Sequence, residues 1–198
     1  MLIGLLALQG DYVSHSRVLD EFSVETRLVR SPDDLENLSG LVIPGGESTV
    51  MSRLCERYAL LEPLRLRARD DFPFFGTCAG LIFLAQSIAG SSRNFAQQTL
   101  GALDIEVQRN AYGAQISSFE AAVSLEMPTQ IPETIHGVFI RAPRIVRVGE
   151  GVETLAFHEE NGEKTPVVVR QGRTLAASFH PELAGETRLH QIWLDSIS

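Results

Sequence analysis

The chain has 198 residues, 44% hydrophobic and 21% charged, and a formal net charge of −8. Those figures suit one globular domain spanning residues 1–198 with a full-sized core, and the negative balance argues against general nucleic-acid binding or a polybasic membrane surface. Only two cysteines occur, Cys55 and Cys78, which excludes a disulfide framework and a CxxC metal site. The opening Met-Leu-Ile-Gly-Leu-Leu lacks a basic flank and is too short to span a bilayer, so a cytoplasmic location is expected.

In chain order, Leu2–Leu8 is a continuous apolar run, the pattern of a strand buried on both faces of a parallel sheet. It stops at Gln9-Gly10-Asp11, a loop expected at the carboxyl edge of that sheet. A helix follows from Asp11 to Phe22, with Val13, Val18, Leu19 and Phe22 near helical spacing. Val24–Val29 is the next strand, and Ser31-Pro32-Asp33-Asp34 opens a short helix with proline at its start. Gly40–Pro44 is the third strand and ends in Gly45-Gly46-Glu47-Ser48-Thr49. Helices are expected at Thr49–Tyr58 and Leu60–Arg69, with Cys55 in the core. A fourth strand from Phe72 leads into Gly76, and an apolar helix-like run extends from Leu81 to Ala89. Strand and helix alternating in this way is a flavodoxin-like, doubly wound α/β pattern, in which chemistry collects at the carboxyl ends of the strands.

After Gly90 the texture becomes short alternating runs: Ala102–Gln108, Ser118–Leu125, Ile135–Ile140, Ile145–Val148, Thr154–His158, Thr165–Arg170 and Thr174–Phe179. Glu160-Asn161-Gly162-Glu163 reads as a hairpin turn between two of them. A last helix, Glu186 to Ile197, carries Leu189, Ile192, Trp193 and Ile197 on one face. The second half therefore adds antiparallel strands to a mainly parallel sheet with helices on both faces.

Gly76-Thr77-Cys78-Ala79-Gly80 is the cysteine form of a nucleophile elbow, a strained strand-to-helix turn that pushes its central side chain out above a sheet. The flanking glycines answer crowding, and the following helix aims N–H groups at the sulfur. Taken alone, the pentad leaves Cys78 evenly balanced between a nucleophile and a buried core cysteine. The counterweight is Phe179-His180-Pro181-Glu182 at the end of the last strand. Residues two apart in an extended chain face one way, and Pro181 keeps His180 extended, so Glu182 can fix the imidazole tautomer. Cys78, His180 and Glu182 make a nucleophile–base–orienter set. Gly45-Gly46 lacks the lysine of a phosphate loop. Backbone N–H groups of Gly46 and Ala79 would instead make an oxyanion hole. His15 and His190 fall in amphipathic helices and read as surface residues; His136 and His158 have no acid placed as Glu182 is. No residue pattern asks for a metal or cofactor.

Pro44–Thr49, Gly76–Gly80 and His180-Pro181-Glu182, in this order, resemble the triad class of glutamine amidotransferases. Leu8-Gln9-Gly10, Gln108-Arg109-Asn110-Ala111-Tyr112-Gly113 and Phe139-Ile140-Arg141-Ala142-Pro143 resemble, more narrowly, the glutaminase subunit of pyridoxal 5′-phosphate synthase. The resemblance covers nearly the whole chain. It implies hydrolysis of L-glutamine to glutamate and ammonia through a thioester on Cys78, with Gly45, Gly46, Glu47, Arg109, Ile140 and Arg141 binding the glutamine. It places Gln9 and Gly10 near the site or the partner face. An amino acid's carboxylate suits arginine donors and its ammonium suits Glu47. Ala114 stands where that family usually has an arginine, which puts one charged contact in question.

Free ammonia is lost to water, and 198 residues leave no second domain to use it, so a separate synthase subunit is expected. The resemblance implies a (β/α)₈-barrel lyase whose docking activates the glutaminase. Alternatives are the glutaminase of another pathway, against which Arg109-Asn110 and Phe139–Pro143 speak, and a non-catalytic scaffold, which would have a broken triad. A cysteine α/β-hydrolase would place its acid before the histidine, whereas Glu182 follows His180.

Overall fold

The computed structural model describes residues 1–90, 97–109, 118–126, 133–160 and 162–198. The first half follows the expected alternation: β1 (Leu2–Leu6), α1 (Tyr12–Glu21), β2 (Glu25–Val29), a 3₁₀ turn (Pro32–Leu35), β3 (Gly40–Ile43), α2 (Ser48–Arg57), α3 (Leu61–Arg69), β4 (Phe74–Thr77) and α4 (Ala79–Leu84). With β12 (Thr174–Ala177), the parallel half of the sheet runs β2-β1-β3-β4-β12, the flavodoxin-like order.

The apolar runs are continuous because each strand serves two cores. In β3, Leu41 and Ile43 face one side and Val42 the other; in β4, Phe74 and Phe75 divide likewise. One core is closed by Met51 and Cys55 of α2, Leu61 and Leu64 of α3 and the buried residues of α4. The opposite core is closed by Leu19 of α1 and by Leu189, Trp193 and Leu194 of α5 (Arg188–Ile197). Trp193 is 1% exposed and lies against Gly40, where an added Cβ would stand 2.8 Å from the indole.

The second half supplies β5 (Ala85–Ile88), β6 (Leu103–Gln108), β7 (Ser118–Leu125), β8 (Glu133–Ile140), β9 (Arg144–Val148), β10 (Glu153–Glu160) and β11 (Glu163–Gln171). Antiparallel β11, β10, β7 and β8 extend the main sheet to nine strands, and β5-β6-β9 form a separate three-stranded sheet. The hairpin is present as the pairing of Glu160 with Glu163; Asn161 lies outside the described residues.

One expectation is corrected. The apolar run after the elbow is helical only to Leu84; Ala85 turns extended and Ala85–Ile88 pairs with β6 in parallel. A short run that is apolar at every position has no period to separate helix from strand, and the free edge of β6 decides it. Among the described residues, no helix is long and apolar enough to cross a membrane.

Replacing Trp193 by alanine should cost about 3–5 kcal/mol, the usual price of emptying a fully buried aromatic site. Urea unfolding reads this as a lower midpoint at unchanged slope; a midpoint equal to that of the parent would contradict the packing described.

Candidate active site

Cys78 sits between β4 and α4 at φ +49° and ψ −101°, a conformation that costs a non-glycine residue about 1–3 kcal/mol. Its surroundings enforce it. The Cys78 N–H donates to the Ala177 carbonyl of β12 at 2.9 Å, and the Ile82 N–H donates to the Cys78 carbonyl at 3.3 Å. A Cβ on Gly80 would lie 2.0 Å from the Ile43 carbonyl oxygen, and one on Gly76 would lie 2.8 Å from the Gly80 backbone. The elbow's two glycines are therefore required by backbone-to-backbone approach.

His180 follows β12, and its N–H donates to the Val138 carbonyl of β8 at 2.8 Å. Its Nδ1 lies 2.7 Å from Glu182 Oε1, which leaves Nε2 for the thiol. Both side chains are buried, at 9% and 0% exposure. Burial alone would lower the His180 pKa, but hydrogen bonds with Cys78 and Glu182 and their charges push it up to about 10. Burial alone would raise the Glu182 carboxyl; His15, and then the hydrogen bond and charge of His180, hold it below its ordinary range. The Cys78 sulfur also lies 3.7 Å from the Ile140 carbonyl oxygen.

The loop after β3 is clamped from several sides. A Cβ on Gly45 would stand 2.1 Å from His180 Cε1, and one on Gly46 (φ +152°) 2.3 Å from Gln9 Oε1. Gln9 Oε1 in turn accepts the Glu47 N–H at 2.9 Å. Gly10, at φ +84°, leaves room for the Gly45 carbonyl, where its Cβ would lie 2.0 Å away. The glycine pair thus admits an imidazole and an amide side chain, a reason that sequence reading did not supply. Glu47 caps α2, accepting the N–H groups of Thr49 at 3.1 Å and Val50 at 2.7 Å. Arg109 is held beside it, donating to Thr49 Oγ1 at 2.9 Å and Gln97 Oε1 at 3.0 Å.

A cleft of about 680 Å³ opens over the sulfur. Its lining includes Gly45, Gly46, Glu47, Cys78, Ala79 and His180, together with Arg109, Ile140, Arg141 and Gly10. Gln9 stands behind Gly46 rather than in the cleft, and Glu182 behind His180. Arg141 has φ +47°. Asn110–Gly113 and Ala114 lie outside the described residues.

The surface reading of His15 and His190 is corrected: both are 0% exposed. They lie beneath Glu182, with His15 Nε2 3.6 Å from Glu182 Oε1 and 3.1 Å from Thr77 Oγ1, and His15 Nδ1 2.8 Å from His190 Nε2. The signal existed in the sequence. His15 stands with Val18, Leu19 and Phe22 at helical spacing, and His190 with Trp193, Leu194 and Ile197, while Val13 is 46% exposed. His136 pairs with Glu120 at 2.7 Å, with both side chains largely exposed. Cys55 is fully buried, and burial pushes its thiol up to about 12. Among the described residues, no cluster of side chains could hold a metal ion.

Comparison with known proteins adds an independent line. The model of the SNO glutamine amidotransferase family matches residues 5–198. The chain is 48% identical over 196 residues to the pyridoxal 5′-phosphate synthase subunit PdxT of Clavibacter sepedonicus, covering 99% of this chain and 90% of that protein. It is 49% identical over 195 residues to the subunit of the same name from Pelotomaculum thermopropionicum, covering 98% and 94%. A crystal structure of a glutamine amidotransferase, 43% identical, superposes with a TM-score of 0.87 over 98% of both chains.

The buried groups set a pH dependence of stability. Burial lowers His15 and His190 below the ordinary 6.5, so the unfolded chain binds more protons and stability is lost as pH falls below about 6.5; the lowered Glu182 adds to this loss below its ordinary 4.5. His180, raised from 6.5 to about 10, contributes stability that is fully present below 6.5 and lost as pH rises through 10. Urea midpoints measured from about pH 5 to about pH 9 should peak near neutrality and fall more steeply on the acid side. A flat profile would contradict the buried network.

Proposed function

The chain belongs to the SNO glutamine amidotransferase family, and from that premise we propose that Cys78, His180 and Glu182 hydrolyse L-glutamine to L-glutamate and ammonia, as the glutaminase of a pyridoxal 5′-phosphate synthase. The observation that carries the residue assignment is the strained Cys78, opposite a buried His180–Glu182 pair at 2.7 Å, at the floor of one cleft.

The Cys78 sulfur attacks the side-chain amide carbon of glutamine. Negative charge gathers on the carbonyl oxygen, and the N–H groups of Gly46 and Ala79 receive it, a contribution of about 10²–10³ in rate per donor in related acyl transfers. The His180 imidazolium gives its proton to the departing nitrogen, and ammonia leaves a thioester on Cys78. Water then attacks the thioester while His180 takes its proton, and glutamate departs with the sulfur restored. Glu182 holds the imidazole through Nδ1 and stabilises its positive form in both steps. Arg109 and Arg141 at the rim suit the substrate carboxylate. Glu47 serves the ammonium only with oxygen lone pairs not used in capping α2.

Ammonia is protonated and lost in water, so the reaction is useful only beside an acceptor site. That points to a synthase subunit of the (β/α)₈-barrel type as the docking partner, with ammonia passed internally and docking raising activity. The single 198-residue chain acts as the glutaminase unit. The cytoplasm, where thiols are kept reduced, is the setting that suits this thiol chemistry.

Glutamate release from L-glutamine by the purified chain, alone and with a synthase subunit, tests this reading. Activity should rise on adding the partner and vanish in Cys78→Ala. Gly45→Ala, whose new methyl would displace His180, should lose at least about 100-fold, as small misplacements of a catalytic group do. No release with folded protein and partner would sink the reading; release indifferent to the partner would keep the triad and remove the pathway.

A further inference from the structure

The reaction above uses three side chains, yet the buried polar chain beneath them is longer. Glu182 Oε1 is addressed by two imidazoles, His180 Nδ1 at 2.7 Å and His15 Nε2 at 3.6 Å. Its other oxygen, Oε2, has no hydrogen-bond partner among the described residues. The side chains of Glu182 and His15 are each 0% exposed. A buried carboxylate with so few partners is costly to keep ionised, so the second imidazole carries weight.

The tautomers follow from satisfaction of hydrogen bonds. His190 Nδ1 is buried and has no partner among the described residues. A proton placed there would be an unsatisfied donor, whereas a bare lone pair costs less. The His190 proton therefore sits on Nε2 and is donated to His15 Nδ1 at 2.8 Å. His15, accepting at Nδ1, carries its own proton on Nε2. That proton is donated to Thr77 Oγ1 at 3.1 Å, and Glu182 Oε1 stands 3.6 Å from the same nitrogen, beyond hydrogen-bond reach but close enough to feel the N–H dipole. The protonated nitrogen of His15 is thus the one on the Glu182 side of the ring.

We propose that His15 and His190 are positioning residues of the catalytic site: a two-imidazole donor chain, running from α5 through α1, that keeps the buried Glu182 carboxylate ionised and aimed at His180. The proposal rests on the reading of Cys78, His180 and Glu182 as the reacting set. Burial lowers both histidines below the ordinary 6.5, so at neutral pH His15 acts on the carboxylate through its N–H dipole, and as a cation only at lower pH. The groups that face Glu182 are its own backbone N–H, His180, with Cys78 beyond it, and His15, with His190 and Asp11 beyond it. Asp11 is itself occupied by the N–H and hydroxyl of Ser14, at 3.1 Å and 2.7 Å. Without the His15 N–H nearby, the buried Glu182 carboxylate is harder to keep ionised, and its hold on the His180 imidazolium weakens.

The test is the pH dependence of Cys78 alkylation by iodoacetamide in the full chain, for the parent, His15→Leu, His15→Gln and His190→Leu. Cys55, fully buried with its thiol pushed up to about 12, does not compete. His15→Leu should slow alkylation at neutral pH about tenfold and shift the profile to higher pH, the effect of about one pKa unit at the His180–Glu182 pair. With the synthase subunit present, kcat for glutamate release should fall in step while KM stays. His15→Gln, whose amide N–H₂ reaches the place of Nε2–H, should keep the rate within about threefold of the parent. A His15→Leu profile that overlays the parent, or a Gln variant as slow as Leu while both unfold cooperatively, overturns the proposal. If His15→Leu does not fold, His190→Leu must slow alkylation in the same direction, and no change in it overturns the proposal equally. Alkylation is read without glutamine, so a shifted profile in a chain that releases no glutamate would fail the glutaminase reading and leave the donor chain standing.

Discussion

The structure depends on the parallel pairing of β12 with β4. Leu175, Ala176 and Ala177 stand opposite Phe75, Gly76 and Thr77, and the next hydrogen bond in the series, from the Cys78 N–H to the Ala177 carbonyl, fastens the elbow itself. Register in a sheet has period two, so a slip of one residue would turn every side chain to the other face. With this register, residues about a hundred positions apart leave the sheet at the same edge. Cys78 and His180 then need no long loop to meet. The strain at Cys78 is borne by the neighbouring backbone, which is why Gly76 and Gly80 meet main-chain atoms rather than substrate.

Around that edge one residue type is used in opposite ways. His180 is pushed up by a carboxylate and a thiol at its two nitrogens, whereas His15 and His190 are pulled down by full burial. The difference is set by geometry. His180 lies at the wall between cleft and core, where its charge has partners on both sides; the other two lie within the second core, beside Phe75, which meets both rings edge-on. The carboxylate of Glu182 is the border between an ionised layer and a neutral one.

Much of this was legible in the chain. The alternation of continuous apolar runs and amphipathic stretches announces a doubly wound sheet because both faces of its strands are buried, and the short alternating runs after Gly90 correspond to strands. Cys78, His180 and Glu182 stand out because each lies in a motif whose backbone demands are local: a glycine-flanked turn, a proline-locked extended pair. What was not legible is what tertiary contact alone decides. Ala85–Ile88 becomes a strand because β6 offers an edge. Gly45 and Gly46 are small because His180 and Gln9, far away in sequence, lie on them. His15 and His190 occupy apolar stripes of their helices, but a lone histidine at such a position does not reveal that another waits opposite.

The contact between His15 and His190 joins residues 175 positions apart at 2.8 Å, and this has a temporal side. On a ribosome the elbow is made roughly 5–20 seconds before the His180 segment, at ordinary elongation rates of about 5–20 residues per second. Through that interval the nascent chain has Cys78 and a half-built sheet but neither His180 nor Glu182, and β12 has yet to pair with β4. Docking of α5 comes later still and seats the last imidazole under the carboxylate. A cleft assembled in this order has its full lining only once the chain is nearly finished.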